Sequence, residues 1–147
     1  MNATVKIGKS NRFWGCLICI VCIALFFLPS LRSGLMMGWD SLFHMARIES
    51  LYRALRTGVF PAKVRPCLNY TYGYGVGFFY PDFFLYFPAV LMPFGVSLEL
   101  AYKSYLLLAL IIAWLLTFQS VKKLTNNSIA GIISAILLIF APHFMYE

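Results

Sequence analysis

Apolar residues are gathered into four long blocks, and polar ones lie mostly between them. Residues 13–31 are almost uniformly apolar, close to the ~20 residues that cross a bilayer as a helix. Residues 78–96, 97–121 and 128–145 form three further blocks, the last two parted by the short polar turn Lys122-Lys123-Leu124-Thr125-Asn126-Asn127-Ser128. The pattern predicts an all-α, polytopic integral membrane protein of about four transmembrane helices in one membrane domain. Pro88 and Pro93 predict that the second helix is kinked or broken, with Gly95 as a natural end. Glu99 and Lys103 form an i,i+4 pair near the start of the third.

Between the first two blocks lies a long insert, residues 32–77. Its first part, about 40–57, has helical periodicity. At ~100° per residue, Asp40, His44 and Arg47 share one face. Glu49, Arg53 and Arg56 share the opposite one, and Leu42, Met45, Ile48, Tyr52 and Leu55 lie between. This is an amphipathic juxtamembrane helix, suited to the bilayer interface. Thr57-Gly58 supplies its left-handed stop, with Pro61 following. Beyond it, Pro61, Pro66 and the alternate glycines Gly73, Gly75 and Gly77 run among tyrosines, which predicts an ordered aromatic loop without regular structure.

Composition supports the membrane reading. Charged residues are 12% of the chain, about half the soluble norm of roughly 25%, and 61% of residues are hydrophobic. The net charge is +7, from twelve Lys/Arg against five Asp/Glu. In a soluble chain that excess points to nucleic acid. On this apolar background it points to anionic lipid head groups or a phosphate-bearing lipid. Cys16, Cys19 and Cys22 have iron–sulfur-like spacing but sit within Leu, Ile and Val, so they read as small apolar residues. With Cys67 the only other cysteine, no disulfide framework is implied.

Lys6, Lys9 and Arg12 precede the first block and predict a cytoplasmic N-terminus and an outward first crossing. A secretory signal peptide is the rival, but Ser30-Leu31-Arg32-Ser33 is not a small-x-small cleavage site. The outward crossing places the insert outside, with Arg32, Arg47, Arg53, Arg56, Lys63 and Arg65. Four crossings also leave Lys122 and Lys123 outside. Both placements oppose the positive-inside tendency. Either the orientation is inverted, or the external charge serves an anionic lipid phosphate; we adopt the second.

The motifs G-W-D-S-L-F-H-M-A-R-I (residues 38–48), T-G-V-F-P (57–61), Y-G-Y-G-V-G-F-F-Y-P-D (72–82) and F-F-L-Y-F-P-A-V-L-M-P-F-G-V-S (83–97) follow one another in this order. Together they resemble the bacterial membrane family labelled "6-pyruvoyl-tetrahydropterin synthase-related". More distantly they resemble the N-terminal part of the GT-C glycosyltransferases. The resemblance implies a helical membrane fold in the cell membrane, with an external active site fed by a polyprenyl-phosphate-linked sugar. It also implies that the chain is the N-terminal fragment of a longer protein. The pterin-synthase label finds no support, since a three-histidine zinc site cannot be built from His44 and His143 alone.

The resemblance implies a catalytic or metal-binding carboxylate just after the first span, which maps onto Asp40. Glycosyl transfer needs a base for the acceptor, or a carboxylate holding a divalent cation against the phosphate. Asp40 also suits a helix N-cap. Its neighbour is Ser41, where many relatives have Glu. His44 could orient Asp40 or share its metal, or be an interfacial histidine. Arg47, Lys63 and Arg65 are the substrate-binding candidates for lipid phosphate; snorkelling anchors are the plainer account. Tyr80 stands where aminoarabinose-type enzymes carry a lysine. Asp82, a further substrate-binding candidate along with His44 and Tyr80, lies in the first turn of the second span, where the helix dipole alone also favours an acid. The alternative function is a non-catalytic membrane protein that binds anionic or polyprenyl lipid, or a membrane partner.

Overall fold

The computed structural model describes residues 9–32, 40–70 and 72–141. Lys6, Gly38, Trp39 and His143 lie outside the described residues. Among those described, all regular structure is helical, and extended backbone pairs only at one antiparallel bridge between Arg65 and Tyr74. The chain divides into two compact units, residues 1–32 with 109–146, and residues 33–108.

The first unit contains α1 (Lys9–Phe27), a 3-10 turn at Leu28–Leu31, the later part of α5 (Leu98–Thr125), and α6 (Ser128–Ile139). Gly131, Ala135 and Ile139 recur every four residues and form the buried face of α6. Phe26 of α1 meets Phe140 edge to face, 6.1 Å between centroids. A Cβ on Gly131 would lie 2.9 Å from the Phe118 carbonyl oxygen and 3.0 Å from its ring, so α6 meets α5 almost at backbone level. Such contacts suit helices in lipid, where small residues allow close packing. Asn127 caps α6, its Oδ1 accepting from Ile129 N at 2.9 Å.

The second unit contains α2 (Ser41–Arg56), α3 (Val76–Phe79), α4 (Tyr86–Leu91) and the first turns of α5. Met45, Ile48 and Leu51 of α2 share one core with Ala62, with Leu85 and Ala89, and with Tyr102 of α5. Leu98, Tyr105 and Leu106 of α5 pack at its edge. The polar side of α2 stays in solvent, where Arg53 Nη2 donates to Glu49 at 2.5 Å. The helix stops as expected at Thr57-Gly58. Gly58 takes φ +76°, and Thr57 Oγ1 and Val59 N both donate to the Ala54 carbonyl at 2.9 Å.

Among the described residues one helix, α5, is long and apolar enough to cross a membrane, by length and composition. The described apolar part of α1, Leu17–Phe27, and α6 are shorter. The block expected as a second span is broken into α3, a 3-10 turn at Phe83–Leu85, α4, and a 3-10 turn at Met92–Phe94. Tyr80 is extended at φ −114°, ψ 128°, because the following Pro81 disfavours helical backbone at the residue before it. Gly95, at φ +86°, ends the run.

Candidate functional site

The second unit gathers most of the expected site residues around one carboxylate. Asp82 Oδ1 accepts from Arg47 Nη2 at 2.8 Å, and Oδ2 accepts from Arg65 Nη2 at 2.5 Å. The three side chains are 8%, 3% and 0% exposed respectively. Two buried guanidinium groups therefore share a single buried anion, and the cluster keeps one positive charge in excess.

Each arginine is aimed by its local structure. Arg47 projects from α2 between Phe43 and Tyr80, its guanidinium carbon 5.5 and 5.2 Å from their ring centroids, in cation–π range. Its Nη2 also donates to the Pro81 carbonyl at 3.2 Å. Arg65 is held by the two backbone bonds of its bridge with Tyr74, at 2.9 and 3.1 Å. Gly77 lets this loop close: a Cβ there would stand 2.9 Å from Lys63 O and 3.0 Å from both Ala62 O and Asp82 Oδ2. Gly77 N donates to Lys63 O at 3.1 Å, and Lys63 Nζ donates back to Gly77 O at 3.3 Å.

Hydrogen bonding within the cluster is incomplete. Arg47 Nε and Arg65 Nε and Nη1 are buried without a protein partner. A buried donor left unpaired costs about 1–3 kcal/mol, so each calls for a water or an anion. Beside the cluster lies a pocket of about 320 Å³. Lys63, Gly77 and Asp82 form part of its wall, and Phe60, Phe83 and Tyr86 supply aromatic surface. Phe60 and Tyr86 meet edge to face at 5.2 Å, and Tyr86 Oη accepts from Ala62 N at 3.1 Å.

Asp40 stands apart from this cluster. It is exposed at the start of α2, its carbonyl accepts from His44 N at 2.9 Å, and its side chain makes no capping hydrogen bond. His44 is half-buried, with Nδ1 3.5 Å from Arg47 Nη1. Burial first, and the Arg47 charge second, push its pKa below the usual range, against an opposing pull from Asp40. The structure thus brings together Arg47, Arg65, Asp82, Tyr80 and Lys63, with His44 at the edge.

Among the described residues no three His, Cys, Asp or Glu side chains converge. Asp40 and His44 share a helix face with the Arg47 guanidinium, whose charge opposes a cation there. No step is therefore routed through a metal.

Sequence reasoning missed Phe43 as an arginine stacking partner, and Phe60 and Tyr86 as pocket walls. It noted Gly77 only as a loop breaker, although glycines spaced two apart are also a signal of close backbone approach. No family model, curated protein or solved structure matches this chain.

Proposed function

We propose that this is a multi-pass protein of the cell membrane, with a cytoplasmic N-terminus, whose external second unit binds the phosphate of a polyprenyl-phosphate-linked sugar. The observation that supports this reading is the unbalanced charge: two buried arginines on one carboxylate, with three guanidinium donors unpaired, beside a pocket edged by exposed Lys63. Positive charge held in low-dielectric surroundings behind the Asp82 side of the pocket favours an anion more than the same charge in water. Lys63 spends one of its three donors on Gly77 O in this structure, which leaves it able to turn toward a phosphate. The aromatic walls suit the apolar and ring portions of such a lipid.

The test is binding of the purified chain in nanodiscs to polyprenyl phosphate and to phosphate-free polyprenol. The expected result is saturable binding of the phosphate form alone, weakened roughly tenfold or more by Lys63→Met, the loss of a charge-assisted contact. Equal affinity for both lipids would overturn the proposal.

Glycosyl transfer is the second reading, and Asp40 is what favours it. Its carboxylate is exposed, is not used as a cap, and lies one turn from a histidine whose depressed pKa keeps it neutral near pH 7. Asp82, by contrast, has both carboxylate oxygens engaged by buried arginines. If transfer takes place here, Asp40→Asn should lower turnover about a hundredfold and leave lipid binding intact, the scale of losing a general base. Unchanged turnover in that variant would leave lipid binding without catalysis.

A further inference from the structure

We infer that residues 83–94 do not cross the membrane but lie in its external interface, so that α5 crosses inward and Lys122 and Lys123 are cytoplasmic. The inference rests on the membrane reading above and changes the number of crossings within it.

Length is the first argument. The segment is a three-residue 3-10 turn, a six-residue helix and another three-residue 3-10 turn. At helical rises these span about 20 Å, short of the ~30 Å hydrocarbon core. Its start cannot be drawn into lipid to make up the difference, because Asp82 is tied to Arg47 and Arg65. Its end is fixed by Gly95 in the left-handed region, just before α5 begins at Leu98.

Packing is the second argument and the stronger one. Were residues 83–94 a crossing, α2 and the first turns of α5 would stand on opposite sides of the bilayer. They share one core instead: Met45, Ile48 and Leu51 of α2 with Leu85, Ala89 and Tyr102. The helix that α4 packs against is also unsuited to lipid depth, since α2 presents the exposed Glu49–Arg53 pair and exposed Arg56. A span lying along α2 would carry those charges into hydrocarbon.

The exposed surface of the segment says what covers it. Phe79, Phe83 and Phe94 are each about 80% exposed, and Phe78 and Phe84 are 66% exposed. A set of exposed phenylalanines next to a cationic loop is the composition of an interfacial element: aromatic rings enter the boundary of head group and acyl chain while basic side chains meet anionic heads. The occupant is the outer leaflet of the bilayer.

This arrangement also removes half of the charge conflict. With residues 83–94 on the outside, α5 supplies the next crossing: past Leu106, where its packing in the external core ends, residues 107–125 still span about 28 Å at 1.5 Å per residue, close to the ~30 Å hydrocarbon core. Its last turn, with Lys122 and Lys123, then ends in the cytoplasm, as the positive-inside tendency requires. Only the basic loop around Arg47, Lys63 and Arg65 remains on the outside, where the proposed lipid phosphate gives that charge a role.

The experiment is labelling of single cysteines with a membrane-impermeant maleimide, on intact cells and after permeabilisation. The cysteines are Tyr72→Cys, Ser97→Cys and Lys123→Cys, on the full chain with its four native cysteines replaced by serine or alanine. We expect positions 72 and 97 to label on intact cells, and position 123 only after permeabilisation. Labelling of 72 and 123 on the same side would overturn the inference, whichever side it is. Labelling of 72 only after permeabilisation would instead overturn the external placement of the loop, while 123 on the opposite side would still support three crossings. If the cysteine-free background fails to fold, a protease site inserted between Asn126 and Asn127 of the native chain gives the same readout. Cleavage there on intact cells, with a matching site after Tyr72 also cut, refutes the inference; protection there with cleavage after Tyr72 supports it.

Discussion

Replacing Asp82 by asparagine should be the most damaging single change in the second unit, and it should be worse than removing either arginine. The side chain keeps its size and can still hydrogen-bond. What changes is charge: a cluster holding one net positive charge becomes one holding two, with both guanidinium groups still buried. Breaking a buried ion pair by removing one partner costs about 3–5 kcal/mol, because the remaining charge is left uncompensated. In Asp82→Asn two charges are left at once, so the upper part of that range applies. Arg65→Met acts in the other direction: it removes a fully buried cation that has two unpaired donors, and it leaves Arg47 and Asp82 as a neutral pair. Its cost should be smaller, about 1–2 kcal/mol, chiefly a lost charged hydrogen bond.

The assay is limited proteolysis of the loop at residues 58–75 in nanodiscs, read as the free energy of local opening. Asp82→Asn should raise cleavage by at least a hundredfold, and Arg65→Met by roughly five- to thirtyfold. In the double variant the effects should not add, because Arg65→Met lowers the excess charge that Asp82→Asn creates. If Asp82→Asn cleaves at the wild-type rate, or less than Arg65→Met, the charge-hub account of the site is wrong.

Other perturbations test other parts of the structure. Protonation of His44 favours the opened state because its folded pKa is depressed, so local stability should be complete above about pH 6.5 and fall as the pH drops below that; His44→Gln should flatten the pH dependence of loop proteolysis. Gly77→Ala should open the loop by about 1–3 kcal/mol, since its Cβ would meet backbone oxygens at 2.9 and 3.0 Å. The same proteolysis reads it, and an unchanged rate would refute the close packing of residues 62–63 on 77. Gly131→Ala should loosen α6 from α5 by a similar clash with Phe118 O, seen as a lower thermal midpoint of the whole chain in nanodiscs. Asp40→Ala should leave thermal stability within about 0.5 kcal/mol, because the carboxylate makes no capping bond; a loss of about 1 kcal/mol would restore the cap reading.

Much of the second unit was legible in the sequence, because short-range rules govern it. The face of α2, its stop at Thr57-Gly58, the Glu49–Arg53 pair and the break before α5 all follow from spacing of a few residues. The role of Arg65 was not legible. A basic residue in a Tyr- and Gly-rich loop reads as a phosphate-binding or snorkelling side chain, yet the Arg65–Tyr74 bridge turns this one inward until it is fully buried. Its partner Asp82 lies 17 residues away in sequence, and Arg47, on the same carboxylate, lies 35 residues from Asp82; no local periodicity carries either pairing. The ion pairs of Asp82 were not legible for a related reason: at the head of an apolar block, an acid has a sufficient local explanation in the helix dipole, and that explanation hides a distant one. The second apolar block is the third case. Hydropathy measures how much apolar surface a segment has, but the side that α4 turns toward α2 is soluble-like core, and only the remainder faces outward.

These three cases share one physical origin, and on the proposed reading it bears on how the second unit is held at the membrane. Asp82 joins α2, the aromatic loop and the start of residues 83–94 through two buried ion pairs. Its position fixes the polar end of the apolar segment, just as the shared core with Tyr102 fixes the other end. An apolar segment tethered at both ends to the same side has no free end with which to cross. On the inference drawn above, the exposed phenylalanines then face the outer leaflet. On that same reading, the charge cluster proposed to favour a lipid phosphate is also the anchor that keeps the aromatic residues at the depth where that phosphate lies.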